Sequence, residues 1–194
     1  EIRTIRHYHD HPAYINALKI SVLTYWKKNG KPSKLIMSFH GIPKKSLYQG
    51  DPYHCECHKT GRLLAEALNL KDTEYQICFQ SRFGKAEWLK PYFAEVIADL
   101  GKKKINDLQV ICPGFSSDCL ETLEEINMEG KSIFINNGGK GYKYIPSLNS
   151  DPKWIEAMGI ISSSNLQGWL DPKWSLAKEQ KSSNLTKKQA EKFK

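Results

Sequence analysis

His40 ends the run Lys34-Leu35-Ile36-Met37-Ser38-Phe39 and stands directly before Gly41-Ile42-Pro43. A neutral imidazole accepts a proton near pH 7 and also ligates divalent transition metals. Its place at the tip of an apolar run makes it the first candidate for chemistry. The second candidate is a pair of carboxylates. Glu121 and Glu125 lie four residues apart behind Asp118, which puts them on one helix face, where like charges repel by about a few tenths of a kcal/mol. Such a face just past a strand tip suits a cation or a proton relay. Both candidates have plainer readings. A histidine can simply cap a strand end, and Asp118 with Glu121 has the spacing of a capping box.

Three other constellations carry ligand chemistry. His7, His9 and His11 alternate ahead of the first helix; they suggest metal, with a polar lead-in as the simpler account. His54-Cys55-Glu56-Cys57-His58 offers thiols and imidazoles, but no second ligand pair follows at zinc-finger spacing. Asn137-Gly138-Gly139-Lys140-Gly141 is a flexible turn after an expected strand rather than the opening of a helix, so a phosphate cradle is weakly supported.

The elements that must position these groups read as alternating strands and helices. Tyr14, Leu18, Val22 and Tyr25 recur at helical spacing between His11-Pro12 and Asn29-Gly30. Leu35 to Phe39 is the pattern of a strand buried on both faces of a parallel sheet, ended by Pro43. Lys44 to Gly50 reads as a loop, and Asp51-Pro52 opens a helix to about Asn69. Tyr75 to Phe79 is a second strand. The helix after it starts near Trp88 and carries Leu89, Phe93, Val96, Ile97 and Leu100 on one face. Trp88 is either core or the wall of a pocket. Leu108 to Cys112 is a third strand, Ser132 to Ile135 a fourth, and Asp151-Pro152 begins a last helix. The expectation is an α/β fold: a parallel sheet of about four strands covered by helices in three layers.

Composition narrows the function classes. The 194 residues hold enough apolar side chains, 40%, for one domain with a real core. No apolar run has transmembrane length, so the expected location is cytoplasmic. Five cysteines without a scaffold spacing point to reduced thiols. The net charge of +8 invites a nucleic-acid reading, but residues 173–194 hold seven lysines against two glutamates. Most of the excess therefore lies in a tail that lacks the aromatic interleaving of single-strand binders. We expect no nucleic-acid partner, a domain over residues 1–165, and a basic, partly disordered tail over 166–194.

With these pieces in order, the chain resembles the C-terminal half of ferrochelatase in the form common in Gram-negative bacteria. Three blocks carry the resemblance: Ser38-Phe39-His40-Gly41-Ile42-Pro43, Phe79-Gln80-Ser81-Arg82-Phe83-Gly84, and Cys112-Pro113-Gly114-Phe115 running into Asp118-Cys119-Leu120-Glu121-Thr122-Leu123-Glu124-Glu125. Gly50-Asp51-Pro52-Tyr53 and Tyr144-Ile145-Pro146-Ser147-Leu148-Asn149 also fit, and coverage runs to about residue 162. The resemblance implies insertion of Fe(II) into protoporphyrin IX to form haem. It implies that His40 and Glu121 face each other across the porphyrin as metal ligands and catalytic groups. Glu125 would lie on a proton path, and Trp88 and Phe115 would line the porphyrin pocket. It further implies Fe(II) as substrate rather than resident cofactor, and leaves room for weak contact with a membrane surface. No cysteine follows Cys119, so no [2Fe–2S] cluster is expected. The family's chains also have a similar N-terminal α/β half that nothing here supplies; these residues are expected to be a fragment, weak or inactive alone.

Two other readings compete. One is a related chelatase acting on cobalt or nickel and a more carboxylated tetrapyrrole. The other is a non-catalytic α/β module that binds an anion through Gly138-Gly139 or the basic tail.

Overall fold

The computed structural model describes residues 2–170 and 173–193. Residues 6–161 form one compact unit. Its frame is a four-stranded sheet in the order β2-β1-β3-β4, with every neighbour parallel. The strands are β1 (Lys34–His40), β2 (Tyr75–Gln80), β3 (Asp107–Ile111) and β4 (Gly141–Ile145). Crossing from β1 to β2 moves one way along the sheet, and β3 and β4 are added on the other side. The order therefore reverses beside β1, and a ligand crevice opens at the carboxyl ends of strands at such a point.

Alternation along β1 builds the layers. Leu35, Met37 and Phe39 pack with α1 (Pro12–Asn29), α3 (Tyr53–Ala67) and the buried Trp154, Ala157 and Ile161 of α6 (Pro152–Asn165). Ile36 faces the other way, joining Val96 and Ile97 of α4 (Phe93–Lys102), Ile126, and Phe134 of α5 (Lys131–Asn136). With all five inner residues of β1 buried, the strand is the doubly covered one its apolar run indicates. Helix α1 starts as its sequence suggests: His11 Nδ1 accepts from the Ala13 amide, and Pro12 takes the first turn.

Several expectations need correction. Lys44–Tyr48 is a short helix, α2, rather than loop. Ser132 to Ile135 is not a strand. It lies in α5, where Phe134 is buried and Ile135 is 40% exposed. A three-residue apolar run fits strand and helix equally, and here the chain continues a helix already under way. The fourth strand is instead Gly141–Ile145, whose Tyr142 and Tyr144 alternate into the core. The Asn137–Lys140 turn therefore leads into β4, and a Cβ at Gly139 would stand 2.2 Å from the Phe134 ring, so that glycine serves packing. Trp88 precedes α4 rather than sitting on it. Pro91 disfavours a helical Lys90, and Leu89 spends its amide on the Ile42 carbonyl.

Residues 1–5 and 162–194 form a second unit. Within it the Arg3 guanidinium donates to the carbonyls of Asn165 and Gln167 and lies 4.4 Å from the Trp169 ring centroid. The lysine-rich stretch carries α7 (Leu176–Glu191), opened by Ser175, whose hydroxyl accepts from the Lys178 amide; none of its side chains is buried. No helix among the described residues is long and apolar enough to cross a membrane.

Candidate active site at the carboxyl rim of the sheet

The last residue of β1 is His40, half-buried and in register with Gln80, the last residue of β2. His40 Nδ1 lies 2.6 Å from the Gly41 carbonyl oxygen. A carbonyl only accepts, so this contact places the proton on Nδ1 and leaves Nε2 with its lone pair in the neutral ring. Tyr53, in the first turn of α3, donates its hydroxyl to the His40 carbonyl at 2.9 Å. Strand tip and helix start are thereby fixed to one another.

Two aromatic rings lie close to the imidazole. Trp88 and Phe115 each have their ring centroid 6.3 Å from that of His40. Trp88 is carried there by backbone pairing of its segment with Ile42 and Lys44: Leu89 donates to Ile42 and Lys44 to Glu87. Gly41 permits this closeness. A Cβ there would stand 2.9 Å from the Gln80 carbonyl oxygen and 3.1 Å from the Trp88 ring.

Glu121 opens a π-helix over Glu121–Gly130. Turns with i→i+5 hydrogen bonds are rare and concentrate at functional positions. The capping box does not form. Asp118 instead accepts from the Tyr144 hydroxyl, the Ser147 amide, Asn149 Nδ2 and the Thr122 hydroxyl, tying the loop after β3 to the end of β4. Burial by itself would raise the Asp118 pKa; those donors outweigh it and hold the carboxyl below its ordinary range. Glu121 is partly exposed at the helix start. Its carboxyl is held low first by the Cys119 side chain and its own amide, and then, against some desolvation, by charge on His40.

Glu125 is placed differently. Its Oε1 accepts from the Ser81 amide at 2.6 Å, and its Oε2 from the Ser81 hydroxyl at 2.6 Å and Gln80 Nε2 at 3.3 Å. Both oxygens are committed to the tip of β2. Gln80 also donates to the Glu121 carbonyl at 2.7 Å and accepts from the Ser38 hydroxyl at 2.8 Å. Ser38, Gln80, Ser81 and Tyr53 did not emerge as site residues from sequence reasoning. The available signal was polarity out of place: Ser38 interrupts an apolar strand run and Gln80 ends one, and both are buried.

The His54–His58 run does not converge on one point. Cys57 is buried, its thiol pushed up to about 12 by desolvation, whereas Cys55 is exposed. His54 and His58 pack on the Phe79 ring instead.

A sequence model of the family described as ferrochelatase matches residues 1–166. The ferrochelatase of Nitrosomonas europaea is 63% identical over 175 residues, covering 90% of this chain and 48% of its own length. That of Methylobacillus flagellatus is 59% identical over 170 residues, covering 88% and 49%. The chain thus spans about half the length of the curated relatives it matches. Among solved structures, SirB from Bacillus subtilis with Fe3+ superposes with a TM-score of 0.56 at 15% identity, over 78% of this chain and 54% of that one; this likeness concerns the fold.

Proposed function

The chain belongs to the ferrochelatase family, and from that premise we propose that it supplies one wall of a site that inserts Fe(II) into protoporphyrin IX. The reading rests on one observation above all. An imidazole with Nε2 free stands at a strand tip with two aromatic rings each 6.3 Å from it, and the neighbouring strand tip is tied through Gln80 to the start of the helix that carries Glu121.

Metallation of a porphyrin must remove two pyrrole N–H protons while a divalent cation sheds water. In this proposal His40 Nε2 accepts a pyrrole proton or meets the incoming metal, since imidazole does either near neutral pH. Glu121, on the opposite side of the plate, holds the metal or accepts the other proton. Trp88 and Phe115 grip the flat apolar macrocycle. Glu125 lies next along the Glu121 helix and would continue a carboxylate route outward while fixing the β2 tip. Iron is substrate here, and the reaction would take place in the cytoplasm. The remaining half of the relatives' length would form the other wall, so this chain alone is expected to be weak or inactive.

The test joins this chain to a segment that completes the relatives' length and follows loss of porphyrin fluorescence as metal enters. Glu121→Gln should suppress insertion while leaving the protoporphyrin-induced Soret shift in place. Unchanged turnover in that variant would remove Glu121 from the proposal.

A further inference from the structure

A second donor set lies within the same compact unit, built from the alternating histidines and the odd member of the His54–His58 run. His7, His9 and Glu56 each present a ligand atom within 4.8 Å of the others. His7 Nδ1 is 2.7 Å from Glu56 Oε1, and His9 Nδ1 is 3.9 Å from the same oxygen. The lead-in has no regular secondary structure and turns at His9-Asp10, yet the His7 and His9 rings lie 6.1 Å apart, both beside Glu56 in the first turn of α3. His9 Nδ1 is buried and has no hydrogen-bond partner. A buried ring nitrogen left unpaired beside a carboxylate is an arrangement that hydrogen bonding alone does not account for.

The surroundings have the form of a ligand shell. The Thr60 hydroxyl donates to the His9 carbonyl at 2.8 Å, fixing the backbone of the lead-in on α3. His9 Nε2 lies 3.9 Å from Asp10 Oδ2, beyond direct hydrogen-bond reach, and Lys59 Nζ holds that carboxylate at 2.5 Å. The three donors border a recess of about 170 Å³ that also touches Tyr53 and Phe39, leaving room for water or another exchangeable ligand.

We propose that His7 Nδ1, His9 Nδ1 and Glu56 form a reversible binding site for a divalent transition-metal ion, separate from the His40–Glu121 pair. Two imidazoles and one carboxylate select borderline cations such as Fe(II), Co(II), Ni(II) or Zn(II) over Mg(II) and Ca(II), which take oxygen ligands. Bound metal would cross-link the lead-in to the first turn of α3, the turn from which Tyr53 holds the His40 carbonyl.

Co(II) alone is the probe, because its visible absorption reports nitrogen and oxygen coordination. The chain carrying His40→Ala and Glu121→Gln silences the rim. That protein should bind one equivalent of Co(II), unaffected by excess Mg(II). Adding Glu56→Gln or His9→Ala should weaken binding at least about tenfold and abolish the visible band. His7 is exposed, so His7→Ala provides the same readout where His9→Ala fails to fold. Two results overturn the proposal: no bound equivalent in the silenced chain, or an equivalent held with unchanged affinity after the His7 and Glu56 changes.

Discussion

Gln80 donates from Nε2 to the main-chain carbonyl of Glu121 at 2.7 Å, tying the strand end beside His40 to the carboxylate residue across the rim. The same side chain accepts from Ser38 and reaches Glu125. It is 3% exposed and Ser38 is fully buried, so the Ser38 hydroxyl has no bulk water as a substitute. The amide thus sets where the π-helix begins relative to the β1 and β2 tips.

Gln80→Ala removes that clamp. It leaves the Ser38 hydroxyl and part of Glu125 unpaired, at a cost of about 1–3 kcal/mol, measurable as a lower denaturant midpoint at unchanged slope. In the completed enzyme the loss should fall on kcat more than on KM for porphyrin, since Trp88 and Phe115 are untouched. A variant that loses porphyrin affinity at full kcat would show that Gln80 serves the pocket and not the placement of Glu121.

Gly41 is the second constraint on the rim. A methyl group there meets the Gln80 carbonyl at 2.9 Å and the Trp88 ring at 3.1 Å, and the first of these is backbone that cannot swing aside. Gly41→Ala should cost about 1–3 kcal/mol by overpacking. It should also shift Trp88 fluorescence and weaken the protoporphyrin Soret response. Retention of both signals at native stability would mean that the rim is looser than these distances imply.

How far this was legible in the sequence depended on what signal each residue leaves. His40 sits at a strand end because an apolar run stops at a glycine and a proline, a pattern read directly from the chain. The parallel sheet followed from alternating periods. The Ser132–Ile135 segment misled because three apolar residues have no length to show a period, and the π-helix that carries it forward has no propensity signature. Glu121 and Glu125 looked equivalent at four-residue spacing, yet their roles diverge. One is engaged with Cys119, the other with Ser81 and Gln80. Glu125's partners lie at the end of β2, 44 and 45 residues away in the chain, which no local pattern reports. His7, His9 and Glu56 meet for the same reason: α3 turns one side toward the lead-in.

His40→Ala separates chemistry from folding. The imidazole is half-buried, and its recorded hydrogen bond runs only to its neighbour's carbonyl, so thermal stability should change little. Metal insertion by the completed enzyme should fall about 10²–10⁴-fold, the usual contribution of a positioned proton acceptor. Circular dichroism and fluorescence-monitored insertion on the same preparation decide the matter. Turnover near the parent's would assign proton removal elsewhere.

Asp118 gives a prediction in which pH itself is the variable. Its folded pKa lies below the ordinary 3.8, because donors from Asn149, Tyr144, Ser147 and Thr122 outweigh the cost of burial. The unfolded chain, without those donors, takes up the proton at higher pH than the folded chain does. The stabilisation is therefore complete above the ordinary value and drains away as pH falls through the depressed one. Asp118→Asn keeps the size of the side chain but removes the charge that four donors share. It should be less stable than the parent at pH 7, and the gap should close as unfolding is repeated below about pH 4. A gap that stays constant across that range would mean that the loop after β3 is held by hydrogen-bond geometry alone, without help from the ionised carboxylate.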